Sequence, residues 1–321
     1  MFDVMNEVLA AASRIHHYIR KTPLDYSIRL SKLTGVEVYL KCENLQFTSA
    51  FKARGAFNKL LTLSLAERTQ GVVTASSGNH GTAVAFGLHQ LKMKGMVFVP
   101  ENASPAKVEA IQSYGVPIEF HGNDTMVTER FAKAYAKQHD RIYISPYNDQ
   151  QVISGQGTIG YELINQLKSI DAVIVPIGGG GLIAGIAGFL KQVAPHIQII
   201  GAQPINSPVM TESIKAGKII EMHTLPTISD ATAGGIVADA ITFPLCQRYV
   251  DQYILVSEEE IKQAIVTLIK THYMLVEGAA GVALAALIKC SETLQGKNVV
   301  IILSGAKISV ENLKSVLAVT A

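Results

Sequence analysis

The chain has little charge and almost no excess of either sign. Lys and Arg number 28 against 26 Asp and Glu, a formal net charge of +2, so no single-sign field exists for a nucleic acid or an anionic membrane. Cysteine is scarce as well. Cys42, Cys246 and Cys290 are odd in number, far apart and free of any CxxC, which excludes a disulfide framework and a zinc-finger spacing and fits a reducing cytoplasm. The nine histidines include no HExxH, and no cysteine–histidine cluster has zinc spacing. The opening MFDVMNEVLAAASRIHHYIRK has Asp3 and Glu7 where a secretory signal has basic residues, so no signal is expected. One uncharged run, Ala172 to Leu190, is long enough to span a bilayer, but Pro176 and a glycine cluster divide it into strand, loop and helix. No membrane partner is expected.

What is present is apolar. Hydrophobic residues make up 48% of the 321 and charged residues 17%, enough for a large buried core and for two lobes. Val4, Val8, Ala11, Ile15 and Tyr18 recur at helical spacing near the start. GVVTAS, GMVFVP, PIEFHG, RIYISP, AVIVPI, IQIIGAQ, YILVS and NVVIILSG read as strands. NHGTAVAFGLHQLK, SPAKVEAIQSYG, TMVTERFAKAYAKQ, VISGQGTIGYELINQL, GLIAGIAGFLKQV and SEEEIKQAIVTLIKTHY read as helices, the last opening with a Ser257/Glu260 capping box. Apolar strands alternating with helices predict an α/β fold of two lobes, each with a mostly parallel twisted sheet flanked by helices.

Gly178, Gly179, Gly180 and Gly181 stand between a strand and a helix. Glycines there let a phosphate approach the unpaired N–H groups of a helix start, although a simple tight turn is the alternative. A P-loop would need Lys and Ser/Thr after the last glycine, where Leu182 and Ile183 stand. Gly179-x-Gly181-x-x-Ala184 fits a dinucleotide fingerprint, but the next strand ends in Gln203 rather than an acid, which argues against a nicotinamide. A single phosphate monoester remains. Lys52 lies between Phe51 and Ala53 in a charge-poor stretch, where desolvation would make its amine a nucleophile toward an aldehyde. Ser49-x-x-Lys52 also matches the SxxK of penicillin-recognising enzymes, but no SDN or KTG follows. Ser76, Ser77, Gly78, Asn79 and His80 open another helix and form a natural carboxylate seat; a plain N-cap turn is the alternative, and His80 alone fits a packed or capping residue better than a base. A phosphate seat, an amine and a carboxylate seat together point to pyridoxal 5'-phosphate and a small amino-acid substrate.

With these segments in view, the sequence resembles the fold-type II pyridoxal-phosphate enzymes, the tryptophan synthase β-like group, in the threonine/serine dehydratase and serine racemase branch. KCENLQFTSAFKARGAFNKL, SSGNHG, SGQGTIGYE, VPIGGGGLIAGIA and ILSGA occur in the family's order over nearly the whole chain. The resemblance implies that Lys52, after Phe51, carries the cofactor covalently, that Asn79 meets its ring oxygen, and that Ser304 faces its ring nitrogen. It further implies that Ser76 to His80 hold the substrate carboxylate and that Gly178 to Gly181 with Leu182 cradle the phosphate. A small domain of about residues 71–147 would be inserted in a large one formed by 1–70 and 148–321, in a homodimer or homotetramer.

The implied reaction is β-elimination from L-threonine or L-serine. Lys52 removes the α-proton, the β-hydroxyl leaves as water, and hydrolysis gives a 2-oxo acid and ammonia. Ser304, a neutral partner where other families have aspartate, favours prompt elimination. Serine racemisation, 3-hydroxyaspartate elimination and a catalytically idle amino-acid or nucleotide-binding relative are the alternatives. Ser77 falls where racemases place an acid/base on the second face, though capping or carboxylate binding explains it slightly better. Four positions depart from the family pattern: Ala50, Gly234, Ala306 and Lys307. The metal site of racemases would need carboxylates where Gln203 and Val209 stand, so no metal is expected there.

Overall fold

The structure is a computed structural model that describes residues 2–318. Among the described residues ten strands form two sheets. In chain order they are β1 (Leu24–Tyr26), β2 (Glu37–Lys41), β3 (Val72–Ala75), β4 (Gly95–Val99), β5 (Ile118–Phe120), β6 (Ile142–Tyr143), β7 (Ala172–Pro176), β8 (Gln198–Pro204), β9 (Gln252–Val256) and β10 (Asn298–Ile302). The larger sheet runs β1-β2-β10-β7-β8-β9 and the smaller β5-β4-β3-β6. Every pairing is parallel except β1 with β2. The eight strands expected from β-branched runs are all present. β1 and β2 are additions: β1 has three residues, and β2, EVYLK, begins and ends on a charge.

Helices cover both sheets. The N-terminal helix Val4–Ile15 is capped by Asp3 and buries Val4, Val8, Ala11 and Ile15, as the periodicity predicts. It stops before Tyr18, which instead stacks on Phe57 at 5.4 Å. The helix Glu258–His272 carries both halves of the predicted capping box. The helix Gly278–Cys290 was not expected. Its sequence, GAAGVALAALIKC, is buried almost all round against one face of the larger sheet, so it has no polar stripe to reveal a period.

The helix Lys52–Thr62 joins the two halves. It gives Ala56 and Leu60 to the core of the smaller sheet and packs along the helix Gln150–Gln166. The approach is close: a Cβ on Gly155 would lie 2.6 Å from the Arg54 carbonyl oxygen. Arg54 is fully buried, with its guanidinium on Glu43 and Glu162, while buried Lys41 also meets Glu162. Removing one partner from such a network strands a buried charge. The first turn of the Lys52 helix is therefore clamped to β2's exit and to the neighbouring helix.

Candidate active site

Four segments that directly follow parallel strands meet here, as expected of ligand sites in α/β folds. After β7, the helix Gly181–Val193 begins with Gly180 as N-cap at φ 88°, a left-handed conformation that favours glycine, and no side chain caps it. Its first N–H groups are left for an outside acceptor. The Tyr147 ring lies against the loop so closely that a Cβ on Gly179 would come within 2.5 Å of it. Thr242 Oγ1 donates to the Gly179 carbonyl at 2.7 Å from elsewhere in the fold. Leu182 is buried in the helix's first turn.

After β10, Ser304 and its neighbours pair with the residues before Lys52. Phe51 N–H donates to the Ser304 carbonyl at 3.1 Å and Ala306 N–H to the Ser49 carbonyl at 2.9 Å, with an antiparallel bridge between Ala50 and Gly305. Two departures from the family pattern, Ala50 and Ala306, thus serve the backbone pairing that sets Lys52 beside Ser304. Lys52 Nζ donates to the Pro146 carbonyl at 2.7 Å and lies 5.1 Å from the Phe51 ring centroid. Burial pulls its ammonium down to about 8, against the opposing pull of Glu277.

After β3, Ser76 Oγ accepts the Gly78 N–H at 3.1 Å, and the uncapped helix Asn79–Leu91 begins. Ser76, Ser77, Gly78 and Asn79 are half-buried. His80 is buried with Nε2 donating to the Ile144 carbonyl at 3.2 Å, and burial depresses it to about 3. It is neutral, with Nδ1 an unpaired acceptor, so its backbone N–H rather than its ring suits a carboxylate.

Glu277 is a residue that sequence reasoning missed. Asn79 Nδ2 donates to its Oε2 at 2.8 Å, and its own N–H donates to the Gly305 carbonyl at 3.0 Å. Burial lifts its carboxyl to about 7. A lone acid in the apolar run LVEGAAG carries no spacing signal toward a residue 198 positions away. Pro146 was missed because it acts through its backbone. Gln203, at the racemase metal position, accepts the Thr211 N–H and hydroxyl at 2.8 and 2.7 Å, and Val209 is buried apolar packing.

Ser304 Oγ, Asn79 Oδ1 and Glu277 Oε1 are buried without a partner. Unmatched buried polar atoms are costly, and several beside one lysine mark a place for a polar ligand. Pyridoxal phosphate fits these groups: the Ser304 hydroxyl is free to donate or accept, and Asn79 Nδ2 keeps one N–H beyond the one it gives Glu277. The uncapped glycine loop would hold its phosphate, Lys52 its aldehyde carbon, Asn79 its ring oxygen and Ser304 its ring nitrogen.

A family model described as pyridoxal-phosphate dependent enzyme matches residues 15–305. An L-threonine ammonia-lyase from Geobacter sulfurreducens is 40% identical over 310 residues, 95% of this chain and 76% of that protein. Threonine deaminase isoform 2 from Solanum lycopersicum, in its processed form, superposes with a TM-score of 0.95 at 34% identity, covering 100% of this chain and 93% of that one. Maize serine racemase superposes with a TM-score of 0.92 at 31% identity, covering 99% and 98%. The chain therefore belongs to the fold-type II pyridoxal-phosphate-dependent enzymes, in the branch that holds the threonine/serine dehydratases and serine racemases.

Proposed function

We propose that the protein is an ammonia-lyase for L-threonine and L-serine. The observation that carries this reading is the Lys52 amine, drawn down to about 8 by burial, on a segment whose Phe51 N–H pairs with the carbonyl of Ser304, a residue with a neutral side chain. Bound pyridoxal phosphate supplies an electron-withdrawing ring that weakens the substrate's α-C–H bond. Lys52 takes that proton, since an amine titrating near neutrality both accepts and returns one. N–H groups at the start of the helix Asn79–Leu91 hold the substrate carboxylate and aim the α-hydrogen at Lys52. The β-hydroxyl departs as water, and the unsaturated amino acid hydrolyses to a 2-oxo acid and ammonia. Ser77 belongs to the carboxylate seat; a proton-donating role on the opposite face would instead give racemisation.

We further read residues 71–147, which hold all four strands of the smaller sheet, as a domain inserted between 1–70 and 148–321. Three free, buried cysteines suit a cytoplasmic enzyme. Exposed Ile28, Leu33 and Tyr273, on segments tied by Arg29 to the Lys270 carbonyl, suit a homodimer or homotetramer contact. The purified enzyme tested on L-threonine, L-serine and 3-hydroxyaspartate should release 2-oxo acid from the first two. D-serine as the main product, or 2-oxo acid from hydroxyaspartate alone, would overturn the reading.

A further inference from the structure

Glu277 stands at the N-cap of the helix Gly278–Cys290 but makes no side-chain bond to that helix. Its carboxyl turns toward Asn79 instead. Gly305 makes room for it: a Cβ there would lie 2.6 Å from Oε1. An ionised carboxylate only accepts hydrogen bonds, so it fixes Asn79 with the amide nitrogen toward Glu277 at 2.8 Å. One N–H of that nitrogen is spent on Glu277 and the other remains to donate. A protonated carboxyl carries a donor, and its best match is Asn79 Oδ1, which now lies buried without a partner. One proton on Glu277 therefore removes the charge that strengthens the Asn79 N–H bond and adds a donor that competes for the other end of the amide.

We propose that Glu277 is the positioning residue for Asn79: ionised, it holds the amide nitrogen toward the cofactor's ring oxygen, and uptake of one proton releases that hold. The proposal rests on the reading of Asn79 as the cofactor's ring-oxygen partner. The charges that face Glu277 are mixed. Lys307, five residues after β10 with its amine on Thr82 Oγ1, and Lys52 favour its ionised form, whereas Asp230 opposes it. Lys107, paired with Asp230 at 2.7 Å, damps that opposition. Desolvation is the largest influence and lifts the carboxyl to about 7, so the switch falls at neutral pH.

The test uses the holoenzyme and two readouts other than turnover. They are the visible absorption of bound pyridoxal phosphate and the rate at which it is lost to a scavenger, followed across neutral pH. The wild type should show a step near 7 in both, with loss about ten-fold faster on the acid side, the scale of one charge-assisted hydrogen bond. Glu277→Gln should abolish the step, and Glu277→Asp, which retains a titrating carboxyl, should restore it at a displaced pH. Asn79→Ala should lose the cofactor quickly at every pH. A step retained in Glu277→Gln, with Asn79→Ala still losing the cofactor quickly, would overturn the proposal and leave the Asn79 reading standing. An Asn79→Ala enzyme with unaltered spectrum and cofactor retention would remove the Asn79 reading and the proposal with it. Should Glu277→Gln fail to fold, the Glu277→Asp titration decides: a step at the wild-type pH contradicts the proposal.

Discussion

Lys52 stands out in sequence weakly through its place between Phe51 and Ala53, and more strongly through the family motif; the structure adds that it is buried, with Nζ on the Pro146 carbonyl. Ser304 and Asn79 were legible only through the family motifs; no spacing rule joins them to Lys52. What joins them is the backbone pairing of residues 49–51 with 304–306 and the Glu277 carboxyl, both products of tertiary contact. Glu277 also has a stability consequence. Its folded titration, about 7, lies above the ordinary 4.5, so its contribution is fully present below 4.5 and is lost as pH rises through about 7. At full ionisation the loss is on the order of 3 kcal/mol. Denaturant unfolding of the cofactor-free protein should therefore show the wild type falling behind Glu277→Gln as pH rises across that window. His80 titrates at acid pH, below that window, and the two buried lysines, which Glu277 helps to hold up, titrate near 8, above it. A difference that is flat with pH would contradict the buried-carboxyl account.

Eight of the ten strands announced themselves through β-branched or aromatic runs, and the capping box at Ser257 marked a helix start. The helix Gly278–Cys290 was hidden because burial on all sides erases amphipathic periodicity. The glycine loop was legible as a helix start without side chains, but not the reason for its second glycine, which is the Tyr147 ring lying on Gly179. Gly180→Asp would place a Cβ at φ 88°, 2.8 Å from Met210 Cε, and a negative charge where the phosphate belongs. Pyridoxal-phosphate affinity, read by fluorescence titration, should fall by about a hundred-fold or more, the scale of losing a charge-assisted anion seat. Unchanged affinity in the folded variant would move the phosphate elsewhere. At the next element, Arg54→Met leaves Glu43 and Glu162 buried with less countercharge. It should cost about 3–5 kcal/mol in chemical denaturation, whereas a loss below about 1 would mean that water enters the cluster.

The α/β class and the two sheets follow from alternation of apolar strands and helices, but strand order does not. β10, near the chain's end, lies between β2 and β7 in the larger sheet. That placement sets Ser304 next to the segment leading to Lys52, and no local pattern encodes it. The smaller sheet contributes the loop after β3 and the Pro146 carbonyl after β6, so the site is built by both halves of the molecule. Among the described residues no helix is long and apolar enough to cross a membrane. The central claim is that this assembly makes Lys52 the residue that carries the cofactor and moves the proton in β-elimination. The most direct measurement is borohydride reduction of the holoenzyme followed by peptide mapping, with 2-oxo acid release from L-threonine and L-serine measured beside Lys52→Ala. The account predicts the reduced pyridoxyl adduct on Lys52 alone, and loss of both adduct and 2-oxo acid in the variant. An adduct on another lysine, or elimination surviving in Lys52→Ala, would contradict it.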